Sequence, residues 1–140
     1  MFALVLAASL LTPDPCSDLC SRNAAHYYAD LLQRGGYGRL PFEVAAFLIR
    51  ESDGTLTTEP WPTRKFGHAS YRGSIPKGAI AVLHTHPYTA PSPSAYDRAE
   101  SRRISIPIIV ITPMGVEAAY PDGSAGRVTG GAGWVERLTR

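Results

Sequence analysis

The chain is poor in cysteine, in net charge and in long apolar runs, and each shortage removes a class of protein. Of its 140 residues only Cys16 and Cys20 are cysteines. Their spacing is loose and no second pair exists, so a thiolate zinc site is not expected. The pair itself reads two ways. In an oxidising compartment it forms one disulfide that ties down the N-terminus; in the cytoplasm it stays as two thiols, one or both buried. Fourteen Lys and Arg stand against twelve Asp and Glu, a net charge of +2. The basic residues are scattered rather than gathered in a stripe, which argues against a nucleic-acid partner. Residues 1–11 are apolar but too few to cross a bilayer as a helix. They match the core of a signal peptide in length, yet lack a positive leading region and have only a vague cleavage site before Thr12-Pro13. A secretory signal is the preferred reading, which favours a secreted or periplasmic protein over a cytoplasmic one; the alternative is an apolar strand or helix packed on the domain. No internal repeat and no second domain is visible. The expectation is an N-terminal segment over 1–16 followed by one domain over 17–140, long enough for one core.

What the chain does have is a dense constellation between residues 84 and 97. The apolar run Ala79-Ile80-Ala81-Val82-Leu83 reads as a buried strand. Residues two apart on a strand share a face, so His84 and His86 aim together while Thr85 points away. Pro87, Pro91 and Pro93 then force a loop. Ser94 is placed to start a helix over about 94–103, and a helix puts Ser94 and Asp97 on one face. Two imidazoles and one carboxylate are three ligands, the number a catalytic zinc site uses while keeping a fourth position open.

The rest of the chain frames that stretch. Residues 17–34 read as a helix, with Ala24, Ala25, Tyr28, Leu31 and Leu32 at helical spacing and Gly35-Gly36 as its stop. His26 on that helix reads as a surface or packing histidine. Residues 43–50 read as an apolar strand, Asp53-Gly54 as a hairpin turn and residues 55–58 as the return. Residues 59–74 read as an irregular segment long enough to overhang a site, with His68 a loop histidine and Trp61 a lid on the core. Residues 104–112 read as another buried strand, residues 116–120 as its return, and the Gly-rich tail as closing with a short strand or helix over 134–138.

A metal-activated water needs a base to take its proton and a donor for the developing oxyanion. Ser94, one turn before Asp97, is the candidate donor. Glu43 is the preferred base, because it opens a buried strand where a carboxylate is otherwise costly. Glu51, beside the hairpin turn, and Glu59 are its rivals.

These residues resemble the JAB/MPN (JAMM, MPN+) metalloprotease family. Its pattern is a glutamate, then His-x-His, seven residues, Ser, two residues and Asp; here His84-Thr85-His86 is followed by residues 87–93, Ser94, Ala95-Tyr96 and Asp97. The proline after the second histidine matches, and Glu43-Val44 sits in an apolar stretch like that of the family's glutamate. The resemblance covers residues 23–120. It implies an α+β fold with a curved mixed sheet flanked by helices, of the cytidine-deaminase-like kind. It implies one zinc ion held by His84, His86 and Asp97, Glu43 as general base and proton carrier to the leaving amine, and Ser94 as oxyanion donor. The implied activity is hydrolysis of peptide or isopeptide bonds in a protein or peptide substrate, such as a ubiquitin-like conjugate or a cell-wall peptide. Ala45-Ala46 and Arg50 replace glycines frequent in the family, which bears on packing and substrate fit. No long insertions of the polyubiquitin-cleaving eukaryotic members are present, so the layout is closer to bacterial members. The competing expectation is a metal-binding module of the same fold without catalysis. His-x-His also occurs in barrel amidohydrolases, but such barrels need about 250 residues.

Overall fold

A computed structural model describes residues 16–62, 65–66, 71, 73–87, 92–138 and 140, with only the backbone of 65–66. Residues 1–15 with their signal-peptide expectation, His68, and Tyr88, expected to line a substrate groove with the 59–74 segment, lie outside this set.

Helix α1, Arg22–Arg34, begins where Ser21 takes an extended backbone and its side chain accepts the Ala24 N–H at 3.1 Å, the bond that satisfies an orphan donor of the first turn. Ala24, Ala25, Tyr28, Leu31 and Leu32 are its buried stripe. The helix starts later than the expected residue 17, because residues 16–20 form turns closed by a Cys16–Cys20 disulfide. Within that loop Leu19 is buried and its carbonyl accepts the Tyr28 hydroxyl at 2.7 Å. Asp18 ion-pairs with Arg50. A 3-10 turn, Gly36–Gly38, follows α1.

Six strands make one mixed sheet in the order β3-β2-β5-β6-β7-β8: β2 Ala45–Arg50, β3 Leu56–Pro60, β5 Ala79–Thr85, β6 Ile108–Thr112, β7 Gly115–Ala119 and β8 Ala125–Gly130. β5 and β6 are parallel and the other neighbours antiparallel. The parallel pair needs a crossover, which α2, Ala95–Ile104, supplies. β1, Phe42–Glu43, and β4, Lys65–Phe66, form a separate ribbon. α3, Trp134–Leu138, closes the chain, with the Trp134 indole N–H on the Thr112 carbonyl at 2.8 Å.

The fold is thus α+β, with a mixed sheet and three helices among the described residues, and besides the later start of α1 it departs from expectation in four places. The strand over 43–50 is broken at Val44. Residues 59–74 are not wholly irregular, since β3 runs to Pro60 and β4 pairs with β1. The strand from 104 starts only at Ile108, because α2 continues through Ile104 and Ser105 ends it in the left-handed region (φ 59°). The Gly-rich tail holds β8.

Alternation along the strands divides the core. Ala46, Leu48, Ala81, Leu83, Ile109 and Ile111 join Tyr28 and Leu32 of α1 in one cluster. Phe47, Ile49, Val82 and Ile108 form the other, with Trp61, Tyr71, Ile104 and Ile106 against them. Trp61 packs on Phe47 and Tyr71 with ring centroids 5.6 and 5.2 Å away. No described helix is long and apolar enough to cross a membrane.

Candidate metal centre

The C-terminal end of β5 carries the histidines out of the sheet at a fixed height. His84 lies opposite Ala45 on β2 and Val110 on β6, and the His86 N–H donates to the Ile111 carbonyl at 3.2 Å. Strand alternation sends both imidazoles to the face covered by α2. Their Nε2 atoms approach to 3.0 Å, with ring planes 68° apart.

α2 delivers Asp97 to the same point. Ser94 is its N-cap, and the two residues form a reciprocal capping box: the Asp97 N–H donates to Ser94 Oγ (3.1 Å) and the Ser94 N–H donates to Asp97 Oδ2 (2.7 Å). A carboxylate in the first turn is also favoured by the helix dipole. Asp97 Oδ1 then lies 3.2 Å from His84 Nε2 and Oδ2 3.5 Å from His86 Nε2. The cap uses Ser94 Oγ only as an acceptor, so its own proton is left to donate.

Glu43 enters from the ribbon. It is the last residue of β1, paired with Lys65, and its Oε1 lies 3.9 Å from His86 Nε2. Ligand atoms of Glu43, His84 and His86 all fall within 4.8 Å of one another, a group that can hold a metal ion. Asp97 is nearer to both imidazoles than Glu43 is to His86, so two carboxylates compete for the remaining coordination. The rival bases are elsewhere: Glu51 is exposed at the hairpin and accepts the Thr57 hydroxyl at 2.6 Å, and Glu59 is exposed on β3. His26 is exposed on α1.

Side-chain exposure is 8% for His84, 7% for Asp97, 14% for His86 and 12% for Glu43, which keeps bulk water out of the cluster but leaves the His86–Glu43 side reachable. Burial opposes a charge on His84, yet the hydrogen bond and charge of Asp97, the charge of Glu43 and the Ile109 carbonyl outweigh it, and its pKa is raised above the ordinary 6.5. Burial opposes the Asp97 charge too, but its hydrogen bonds to His84 and His86, the His84 charge and the Ser94 N–H hold the carboxyl well below the usual range. Both shifts have one origin. Two imidazole nitrogens face the two oxygens of one carboxylate, an arrangement that favours a cation between them, a proton or a metal.

Sequence reasoning overlooked the support of these groups. The Ile109 carbonyl bonded to His84 is backbone, and no residue type announces it. Thr85 was legible only as the residue pointing away. Neither the family models nor the curated proteins compared with the chain match it.

Proposed function

We propose that the chain is a zinc-dependent hydrolase of peptide or isopeptide bonds, of the JAB/MPN type, with His84, His86 and Asp97 as ligands and Glu43 as general base. One observation carries this reading. Zinc bonds of about 2.0–2.1 Å in a tetrahedron put neighbouring ligand atoms about 3.3 Å apart. His84 Nε2 lies 3.0 Å from His86 Nε2 and 3.2 Å from Asp97 Oδ1, two edges near that length, while His86 Nε2 meets the other carboxylate oxygen, Oδ2, at 3.5 Å. Glu43 Oε1, at 3.9 Å from His86 Nε2, is farther from the imidazoles than either Asp97 oxygen is from its nearer one. That supports Asp97 as the ligand and Glu43 as the residue facing the open position. The mixed sheet and helix order are compatible with the same fold type.

When bound, the ion supplies Lewis acidity that activates water near neutral pH. The chain's own residues do the rest. The Glu43 carboxylate accepts the proton of the attacking solvent molecule and passes it to the leaving amine. The Ser94 hydroxyl, fixed by the capping box, donates to the oxyanion that develops on the carbonyl. Asp97 balances the charge between the imidazoles. The substrate is a protein or peptide, with ubiquitin-like conjugates and cell-wall peptides as the first classes to screen.

The test is removal and return of zinc, combined with Glu43→Gln. Stripped protein is expected to be inactive and one equivalent of zinc to restore hydrolysis. Glu43→Gln is expected to keep its zinc and lose about 10²–10⁴-fold in kcat. Full hydrolysis in the presence of a strong chelator would sink the proposal. Zinc binding with no hydrolysis of any peptide or isopeptide would leave a binding module.

A further inference from the structure

Thr85 stands between the two histidines with its side chain turned the other way, toward α1. It is 1% exposed. Its N–H donates to the Val44 carbonyl at 3.0 Å, half of an ordinary antiparallel exchange. The other half is not backbone to backbone: the Val44 N–H donates to Thr85 Oγ1 at 3.1 Å. Val44 is where β1 and β2 part, and it directly follows Glu43. A buried N–H without an acceptor is costly, so this hydroxyl allows the chain to turn there without stranding a donor. Gly35, just after α1, closes on the same point. A Cβ built on it would lie 2.9 Å from Val44 Cγ2 and 3.0 Å from Thr85 Oγ1, closer than side-chain carbons approach, so only glycine lets the end of α1 press against the bond.

We propose that Thr85 is a positioning residue for Glu43: its hydroxyl holds the break at Val44 and so aims the Glu43 carboxylate at the imidazole pair. The proposal rests on the hydrolase reading for its catalytic consequence, but not for its geometry. The same three-residue step that presents His84 and His86 on one face thereby fixes the base from the other.

The test compares Thr85→Val, which keeps the shape and removes the hydroxyl, with Thr85→Ser, which keeps the hydroxyl, in full-length zinc-loaded protein. Thr85→Val is expected to hold wild-type zinc stoichiometry while kcat falls about 10- to 100-fold with KM unchanged, and Thr85→Ser to restore kcat. Crystal structures should show the Glu43 carboxylate moved by about 1 Å in Thr85→Val, the scale of misplacement that costs on the order of 10²-fold, and unmoved in Thr85→Ser. Glu43 unmoved in Thr85→Val, or Thr85→Ser as impaired as Thr85→Val, overturns the proposal. Should wild-type protein hydrolyse nothing, the hydrolase reading falls and the position of Glu43 in Thr85→Val still decides this one. If Thr85→Val does not fold, Gly35→Ala takes its place by wedging Val44 from Thr85; Glu43 is expected to shift there, and an unmoved Glu43 counts against the proposal.

Discussion

The two faces of β5 meet different demands one residue apart. Ala81, Leu83 and Thr85 face α1, and at 0, 0 and 1% exposure each is completed by its neighbours: Ala81 and Leu83 by apolar contacts, Thr85 by the Val44 N–H. Val82 on the other face is equally ordinary core, packed with Phe47 and Ile108. Two residues further along that face the environment changes. His84, His86 and Asp97 approach one another within 3.5 Å, an arrangement of polar groups that a cation completes. At the C-terminal end of β5, ion binding and packing therefore fall on opposite faces, and His84 and Leu83 substitutions should show different signatures in zinc content and stability.

His84→Ala should produce the largest effect, complete loss of bound zinc and of hydrolysis together. His84 belongs to both candidate ligand groups, with Asp97 or with Glu43, so the expectation does not depend on which carboxylate coordinates. The fold should persist, because Val82 and Ile108 still seal that face. Elemental analysis of the purified variant, alongside its circular dichroism, checks both halves; stoichiometric zinc in His84→Ala would break the comparison. Leu83→Ala is the opposite case, one residue away on the other face. Truncating a fully buried leucine costs about 2–5 kcal/mol, read as a lower urea midpoint, while the folded fraction should keep its zinc. Loss of zinc without loss of stability would show that the two faces are not independent.

The parts of this arrangement legible in the sequence are those governed by short spacings. His-x-His alternation, the Ser94-x-x-Asp97 cap and the Ala24-to-Leu32 stripe each depend on residues within one or two turns, and each stands where its spacing put it. The unreadable parts depend on partners far along the chain. The break at Val44 is held by a threonine 41 residues later, and β4 exists only because Phe42 and Glu43 pair with Phe66 and Lys65. β8 was hidden by its composition, since Gly126 and Gly130 carry no periodic signal and the strand follows from pairing with β7. Ile104 was claimed for a strand by its apolar neighbours, but it ends α2 and packs beneath it. Whether Cys16 and Cys20 join was open in the sequence; the turns over 16–20 bring their Cα atoms to 5.2 Å, and they are bonded.

The smallest effect expected is the sharpest probe of the polar face, because it measures the competition for its centre directly. In metal-free protein the raised pKa of His84 means that its protonated form stabilises the fold fully below the ordinary value of 6.5 and that this contribution is lost as pH rises through the folded value. Asp97 acts in the opposite sense: its depressed pKa contributes above its ordinary 3.8 and is lost in acid. Metal-free stability should thus decline as pH rises above 6.5. Zinc requires the neutral imidazole, so the stabilisation added by zinc should grow over the same range in which the proton's contribution fades. Urea midpoints from about pH 5 to pH 8.5, with and without zinc, should diverge as pH rises. Asp97→Asn should flatten the metal-free decline, since the hydrogen bond and charge that raise His84 come first from Asp97. A metal-free protein that gains stability between about pH 6.5 and pH 8 would mean that no proton is held between the imidazoles and Asp97, and the polar face of β5 would then be as self-sufficient as the apolar one.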